Sequence, residues 1–389
     1  MTATRWHFEA LDTWFFRESR PHEALGGSTL GSLFPPAART VAGAVRTVMG
    51  QYAGVDWERF NNGDGRAHQL AAELDLRHEI GDAEDLGQLQ LHGPWLCQNS
   101  KRLYPVPRFL LEPKTPGPLP RLRLGRPVRC GLSADGPVAL PELLGRQPGA
   151  KTLDTAWVSE PVYQQILAGE PITTADLIKP AHLFGTEERL GIGRDNRRGT
   201  VIPQQLYMTR HLRPHAGTGL EVGVSGVDPR LQPPTGLTRF GGEGRLAAIH
   251  IQPTDTGPWP AAPALGPDCR RFLLVLLTPA DLDGAGLPPG FEPVTTQGQT
   301  RWQGTLNGLE LTVESAVIGK PTREGGWDLA NHRPRPVRSL VPAGSAWFVT
   351  GFAADPADAV AALHGHAIGR ETALGRGRLA VARWPESDT

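Results

Sequence analysis

The segment Gly242-Glu-Gly-Arg-Leu-Ala247 returns later in the chain as Gly375-Arg-Gly-Arg-Leu-Ala380, and the copies run on into the apolar stretches Ala248-Ile-His-Ile251 and Val381-Ala-Arg-Trp384. Paired glycines ahead of a strand mark a tight turn, because glycine tolerates positive φ and lacks a Cβ. Two such units, about 130 residues apart, are too widely spaced for a solenoid and indicate a duplicated domain.

The second copy is read outward from this turn. Arg271-Phe-Leu-Leu-Val-Leu-Leu-Thr278 is a continuous apolar run and reads as a buried strand, with a short helical segment expected from Pro279. Leu311–Ile318 and Ser345–Thr350 read as strands, and Asp355-Pro356 opens a helix through Leu363. With the strand after Gly375 the order is βαββαβ, the ferredoxin-like (RRM-like) plan. The first copy has strand Arg5–Phe16, a Gly-rich loop at 26–31, and a helix after Phe34-Pro-Pro with Val41, Val45 and Val48 on one face. Leu206–Leu212 and Gly219–Ser225 are expected to pair as a hairpin before the Gly242 turn. The predicted class is α+β: a first ferredoxin-like domain over 1–255 and a second over 269–389. A large insertion, 55–200, includes a Pro-rich basic arm at 101–130 and an Arg-rich loop at 189–199.

Composition bounds the function. The 389 residues carry 40 basic and 40 acidic side chains and are 39% hydrophobic, as in a globular protein of two or three domains. The longest apolar run, Phe272–Leu277, is six residues, against the ~20 of a membrane-spanning helix. The N-terminus lacks the apolar core of a signal peptide, so a cytoplasmic protein without a membrane partner is expected. Cys97, Cys130 and Cys269 fit neither a disulfide framework nor a structural zinc spacing, and no cofactor or metal is assigned. Neutral charge argues against a protein that coats nucleic acid, yet the charge is uneven: residues 1–100 sum to −5 and residues 101–150 to +6. Only five of the basic residues are Lys, and Arg presents a planar fork suited to phosphate and base edges.

Each glycine turn has two readings, a plain turn into a strand or a backbone nest for phosphate, with Arg245 and Arg378 in matching positions and Arg376 adjacent. In Leu190-Gly-Ile-Gly-Arg-Asp-Asn-Arg-Arg-Gly199, the side chains of Arg194, Arg197 and Arg198 suit single-stranded nucleic acid or are a solvated loop. His22, beside Arg17 and Arg20, is either an ordinary loop histidine or a base for cleaving RNA. The Gly-x-Gly-x-x-Gly, Walker, His-Glu-x-x-His and Gly-x-Ser-x-Gly motifs are absent.

Leu11-Asp-Thr-Trp-Phe-Phe-Arg17, Phe34-Pro-Pro36 followed by a helix with Arg46, Gly191-Ile-Gly-Arg-Asp195, Gly241-Gly-Glu-Gly-Arg245 and Pro342-Ala-Gly-Ser345 resemble, in that order, the third-subunit family of the type III-B CRISPR Cmr effector complex. That family belongs to the RAMP superfamily, in its Cas-five-like group. The resemblance implies a non-catalytic subunit that grips the 5′ handle of the CRISPR RNA and docks the large palm-domain subunit onto the backbone subunits in antiviral defence. It implies RNA-binding roles for Arg17, Arg46, Arg194, Arg197, Arg198, Gly241, Gly242, Gly244, Arg245, Gly375, Arg376, Gly377 and Arg378. The alternative is a metal-independent repeat endoribonuclease using His22. A purely structural subunit is the third reading.

Overall fold

A computed structural model describes residues 3–18, 29–71, 73–133, 135–143, 145, 147–195, 197–254, 257–328 and 330–384. His22 and Arg20 lie outside these residues, as do residues 26–28 of the Gly-rich loop at 26–31. The protein is α+β and strand-rich, with few helices. Among the described residues no helix is long and apolar enough to cross a membrane. The chain forms two compact units: one of residues 1–102, 181–256 and 323–338, the other of 103–180, 257–322 and 339–389. Residues 103–180 thus group with the C-terminal half, whereas the sequence places them in an insertion of the first domain.

In the first unit, strand Thr4–Ala10 sets the pattern: its alternate residues Trp6 and Phe8 are fully buried. Trp6 stands opposite Val222 and Ile251, and Phe8 opposite Leu220 and Ile249, so one sheet face is a continuous apolar layer. Helix Ala38–Tyr52 brings Val41, Val45 and Met49 inward and packs against strand Gln90–Gln98. Sequence periodicity puts Val48 on the inner face; in the structure Met49 takes that role and Val48 is half-exposed.

The sheet neighbours run Gly236–Arg239, Leu246–Pro253, Thr4–Ala10, Thr218–Ser225, Gln90–Gln98, each pair antiparallel. The expected hairpin of 206–212 with 219–225 does not form. Thr218–Ser225 is buried along its length and lies between Thr4–Ala10 and Gln90–Gln98. The 15-residue strand Thr200–Pro214 pairs instead with Phe184–Asp195 in a long hairpin, with Thr29–Leu30 alongside. The two neighbours in sequence differ in burial: residues 206–213 mix exposed and buried positions, whereas 218–224 are buried throughout, as a central strand is.

In the second unit the strands run Glu292–Thr296, Gln299–Leu306, Leu309–Val317, Ala346–Thr350, Arg271–Leu276, Leu379–Arg383, again antiparallel. Phe272, Leu274 and Leu276 meet Val313, Trp347, Val349 and Val381 in the core, closed by Ala359 and Leu363 of helix Pro356–Leu363. That helix begins as read: the Asp355 carboxylate accepts the Ala357 N–H at 2.8 Å and Pro356 holds the first position. The helix expected from Pro279 is absent. There the backbone is extended, with Ala280 bridging Val341 and Asp281 bridging Arg370, which suits a stretch broken by Gly284, Gly286, Pro288 and Pro289. Part of the Pro-rich arm is an ordered hairpin, Leu122–Val128 with Val138–Leu143, tied down by Ser133 and Thr300 hydroxyls 2.9 Å apart.

Candidate nucleic-acid interface

The first unit gathers several charged side chains around the segment that follows strand Thr4–Ala10. Trp14 exchanges both backbone hydrogen bonds with Leu212, at 2.8 Å each, and Gly242 N–H donates to the Phe15 carbonyl at 2.8 Å. The rings of Phe8, Trp14 and Phe16 pack round Phe240, and Phe15 stacks on His211 at 5.0 Å. This anchored aromatic run leaves Asp12 facing solvent, its side chain 48% exposed.

Three arginines converge on that carboxylate. Arg189 reaches Asp12 at 2.8 Å, Arg213 at 2.9 Å and Arg245 at 3.3 Å. Glu187 holds Arg189 and Arg213 from the other side, at 2.7 and 2.9 Å. The hydrogen bond from Arg189 and then that from Arg213 hold the Asp12 carboxyl below its usual range. Exposed pairs contribute only ~0–1 kcal/mol each to folding, so this lattice does little for stability. What it does is hold three guanidinium forks in one place with one more positive than negative charge among the five groups. Guanidinium forks in that arrangement suit phosphate oxygens.

The Gly241–Arg245 turn lies beside it. Gly241 has φ +88°, and a Cβ there would come 2.6 Å from the Phe15 carbonyl; Gly244 has φ +65° and nothing within 4 Å. The first glycine is thus needed for close packing on Phe15, and the second leaves an open surface. Arg245 Nε donates to the Glu243 carbonyl at 3.2 Å, which aims the side chain back over the turn. Tyr207 covers Gly191, where a Cβ would fall 2.3 Å from its ring, and burial and the Glu243 carboxylate push its phenol up. Beyond, at the hairpin tip, the Asp195 carboxylate accepts the N–H groups of Arg197 and Arg198 at 2.9 and 3.3 Å. The side chains of Arg194, Arg197 and Arg198 are exposed there, and Arg17 is exposed on the segment after Asp12.

Other residues singled out in the sequence are placed differently. Arg46 donates to the Gly81 carbonyl at 2.9 Å, and burial pulls its pKa down, so its role is to tie the loop at Gly81 to the helix. The second glycine turn is built into its own unit. Gly375, Gly377 and Arg378 N–H groups donate to Thr372 O, Pro279 O and the Thr278 hydroxyl, which leaves these three amides for protein rather than for a nest. Arg376 is 2% exposed and ion-paired with Glu371; Arg378 lies over Trp259, 5.3 Å from the ring centre, and donates to Gly365 O.

Sequence reasoning missed Asp12, Arg189 and Arg213. A signal was present in the alternation of Glu187 and Arg189, which places both on one face of a strand, but their partner Asp12 is 177 residues from Arg189.

A comparison with curated protein sequences finds no match. Among solved structures, a chain of "Cryo-EM structure of the Type III-B Cmr-beta bound to cognate target RNA and AMPPnP, state 1" is similar at 14% identity and TM-score 0.44, covering 88% of this chain and 86% of that one. A chain of "Cryo-EM structure of the Type III-B Cmr-beta bound to cognate target RNA" matches to the same degree. The family model described as CRISPR-associated protein (Cas_Cmr3) matches residues 6–384. With nearly the whole chain covered, this protein belongs to the CRISPR-associated Cas_Cmr3 family.

Proposed function

We propose that this chain is the third subunit of a type III-B Cmr ribonucleoprotein, a non-catalytic RNA-binding protein of the RAMP superfamily that grips the 5′ handle of the CRISPR RNA. In this reading both units are ferredoxin-like. Support comes from their sheet order, in which the first, second, third and fourth strands of the plan lie as second–third–first–fourth, the first helix of the second unit being replaced by the hairpin at 292–306. The large palm-domain subunit and the backbone subunits are the protein partners.

The observation that carries the RNA reading is the convergence of Arg189, Arg213 and Arg245 on Asp12, with Arg189 and Arg213 on the same hairpin whose tip bears exposed arginines. Phosphates of a short single strand take the place of carboxylates on these forks, and Tyr207 at the hairpin offers a ring near them. Arg17, Arg194, Arg197, Arg198, Arg245 and the open Gly244 stay in the proposed interface, while Gly241 and Gly242 pack on Phe15. Arg46, Arg376 and Arg378 serve the fold.

The test is handle binding by the assembled complex. Arg245→Glu and Arg197→Glu each weaken it and lower the salt slope by at most roughly 0.7 for every phosphate of a single strand no longer neutralised. Unchanged affinity and slope in both variants removes the proposal. Metal-free cleavage of repeat RNA by the purified chain, abolished in His22→Ala, would establish the endoribonuclease reading in its place.

A further inference from the structure

On the sheet of the first unit, the face opposite Trp6 and Phe8 carries His7, Glu221 and Cys97, one from each of three adjacent strands. His7 stands directly opposite Glu221, and Cys97 stands opposite Gly219, two residues along from Glu221 on the same strand. One ligand atom from each residue lies within 4.8 Å of the other two. Cys97 and Glu221 are 0% and 2% exposed, and the His7 side chain 14%.

We propose that His7 Nε2, Cys97 Sγ and Glu221 Oε2 form a binding site for a borderline divalent cation of the zinc type. Thiolate, imidazole and carboxylate are the donor set such an ion prefers, whereas calcium and magnesium take oxygen donors. Donors around one tetrahedral zinc ion stand about 3.3–3.6 Å apart. Sγ and Oε2 are already 3.8 Å apart, so the closing movement falls mainly on the imidazole. Gly219 permits it: a Cβ there would fall 2.6 Å from His7 Nε2, so the ring lies over a position that any side chain would fill.

The surroundings match a carboxylate that ligates through one oxygen. Arg102 Nε donates to Oε1 of Glu221 at 2.5 Å, and Arg5 lies 3.7 Å from Oε2. The Oε1 contact fixes the carboxylate and leaves Oε2 toward the thiol, as supporting residues orient ligands in known sites. In the metal-free state the Cys97 thiol donates to Oε2. Binding moves that proton to solvent, and the ion takes its place between sulfur and oxygen, so the dication adds a single net positive charge. Glu9, 3.2 Å from His7 Nε2, lies at the exposed side, and with Glu221 it balances Arg5 and Arg102 before the ion binds. The cysteine spacing hid this site from the sequence, because its ligands come from positions 7, 97 and 221 rather than from one motif.

The experiment uses the reduced full-length chain, stripped by a chelator and titrated with Co²⁺ alone. One equivalent is expected to bind with a thiolate-to-cobalt charge-transfer band, stronger at higher pH and displaced by one equivalent of Zn²⁺. The Cys130→Ser/Cys269→Ser double variant, in which Cys97 is the sole thiol, retains the band, and His7→Ala weakens affinity at least tenfold. Cys97→Ser abolishes it. Absence of the band in the parent chain, or its loss in the double variant, overturns the proposal, and both readings hold even if Cys97→Ser does not fold.

Discussion

The two copies of the glycine turn differ in what an added methyl group would meet, and this yields a comparison of Gly244→Ala with Gly377→Ala. Both glycines have positive φ, +65° and +71°, so each alanine costs about 1–2 kcal/mol in backbone strain. At Gly244 nothing lies within 4 Å, and the cost stops there. At Gly377 the new Cβ would fall 1.9 Å from the Ile368 carbonyl. Relief requires the backbone to shift, yet Gly377 donates to Pro279 O at 2.9 Å and accepts from Ile368 N–H at 3.0 Å. Disturbing these adds about 1 kcal/mol apiece, for a total on the order of 3–4 kcal/mol. Amide hydrogen exchange reads each unit separately. Protection in strand Leu379–Arg383 should fall more than 100-fold in Gly377→Ala, and protection in Leu246–Pro253 about tenfold in Gly244→Ala. Equal losses would refute the view that the second turn is built inward and the first lies open.

Further outcomes follow from individual side chains. Arg376→Met strands the Glu371 carboxylate and should cost about 3 kcal/mol, at the low end for a buried pair because Glu371 keeps some exposure; denaturation measures it, and the salt slope of handle binding should not move. A weaker slope in that variant would place Arg376 on RNA after all. His364 accepts the Val381 N–H at 3.2 Å on Nδ1 and contacts Pro260 O at 2.7 Å through Nε2, and burial lowers its pKa from 6.5. The neutral ring is therefore favoured in the folded state. Its contribution is full above pH 6.5 and falls as the pH drops from there toward the lowered folded-state pKa. Unfolding midpoints followed from pH 8 to 5 should fall less in His364→Gln than in the parent chain; parallel curves would dismiss the assignment.

The second unit was the more legible half. Its strand from Arg271 is apolar without a break, and Asp355-Pro356 is a start signal with a mechanism, so both survive into the structure. In the first unit the strand Gln90–Gln98 escaped notice because Gly93-Pro94 reads as a breaker. The sheet takes it in with a register shift opposite, between Glu221 and Gly223. Once that strand is missed, Gly219–Ser225 has no visible neighbour and is wrongly assigned to Leu206–Leu212. The arginines posed a different difficulty. Abundance shows how many forks the chain has, and only tertiary packing decides which are turned inward, as Arg46 and Arg378 are, and which meet at Asp12.

Asp12 also explains how a chain of zero net charge can hold three guanidinium forks in readiness. It serves as a tethered counterion, keeping three guanidinium groups close together when no polyanion is present. On the RNA reading, association exchanges that carboxylate for phosphate, and fewer dissolved ions are set free than the number of arginines suggests. A random polyanion gains little from such an exchange, whereas a strand whose phosphates fit all three forks at once gains the whole set. Discrimination then comes from geometry held in advance rather than from excess charge.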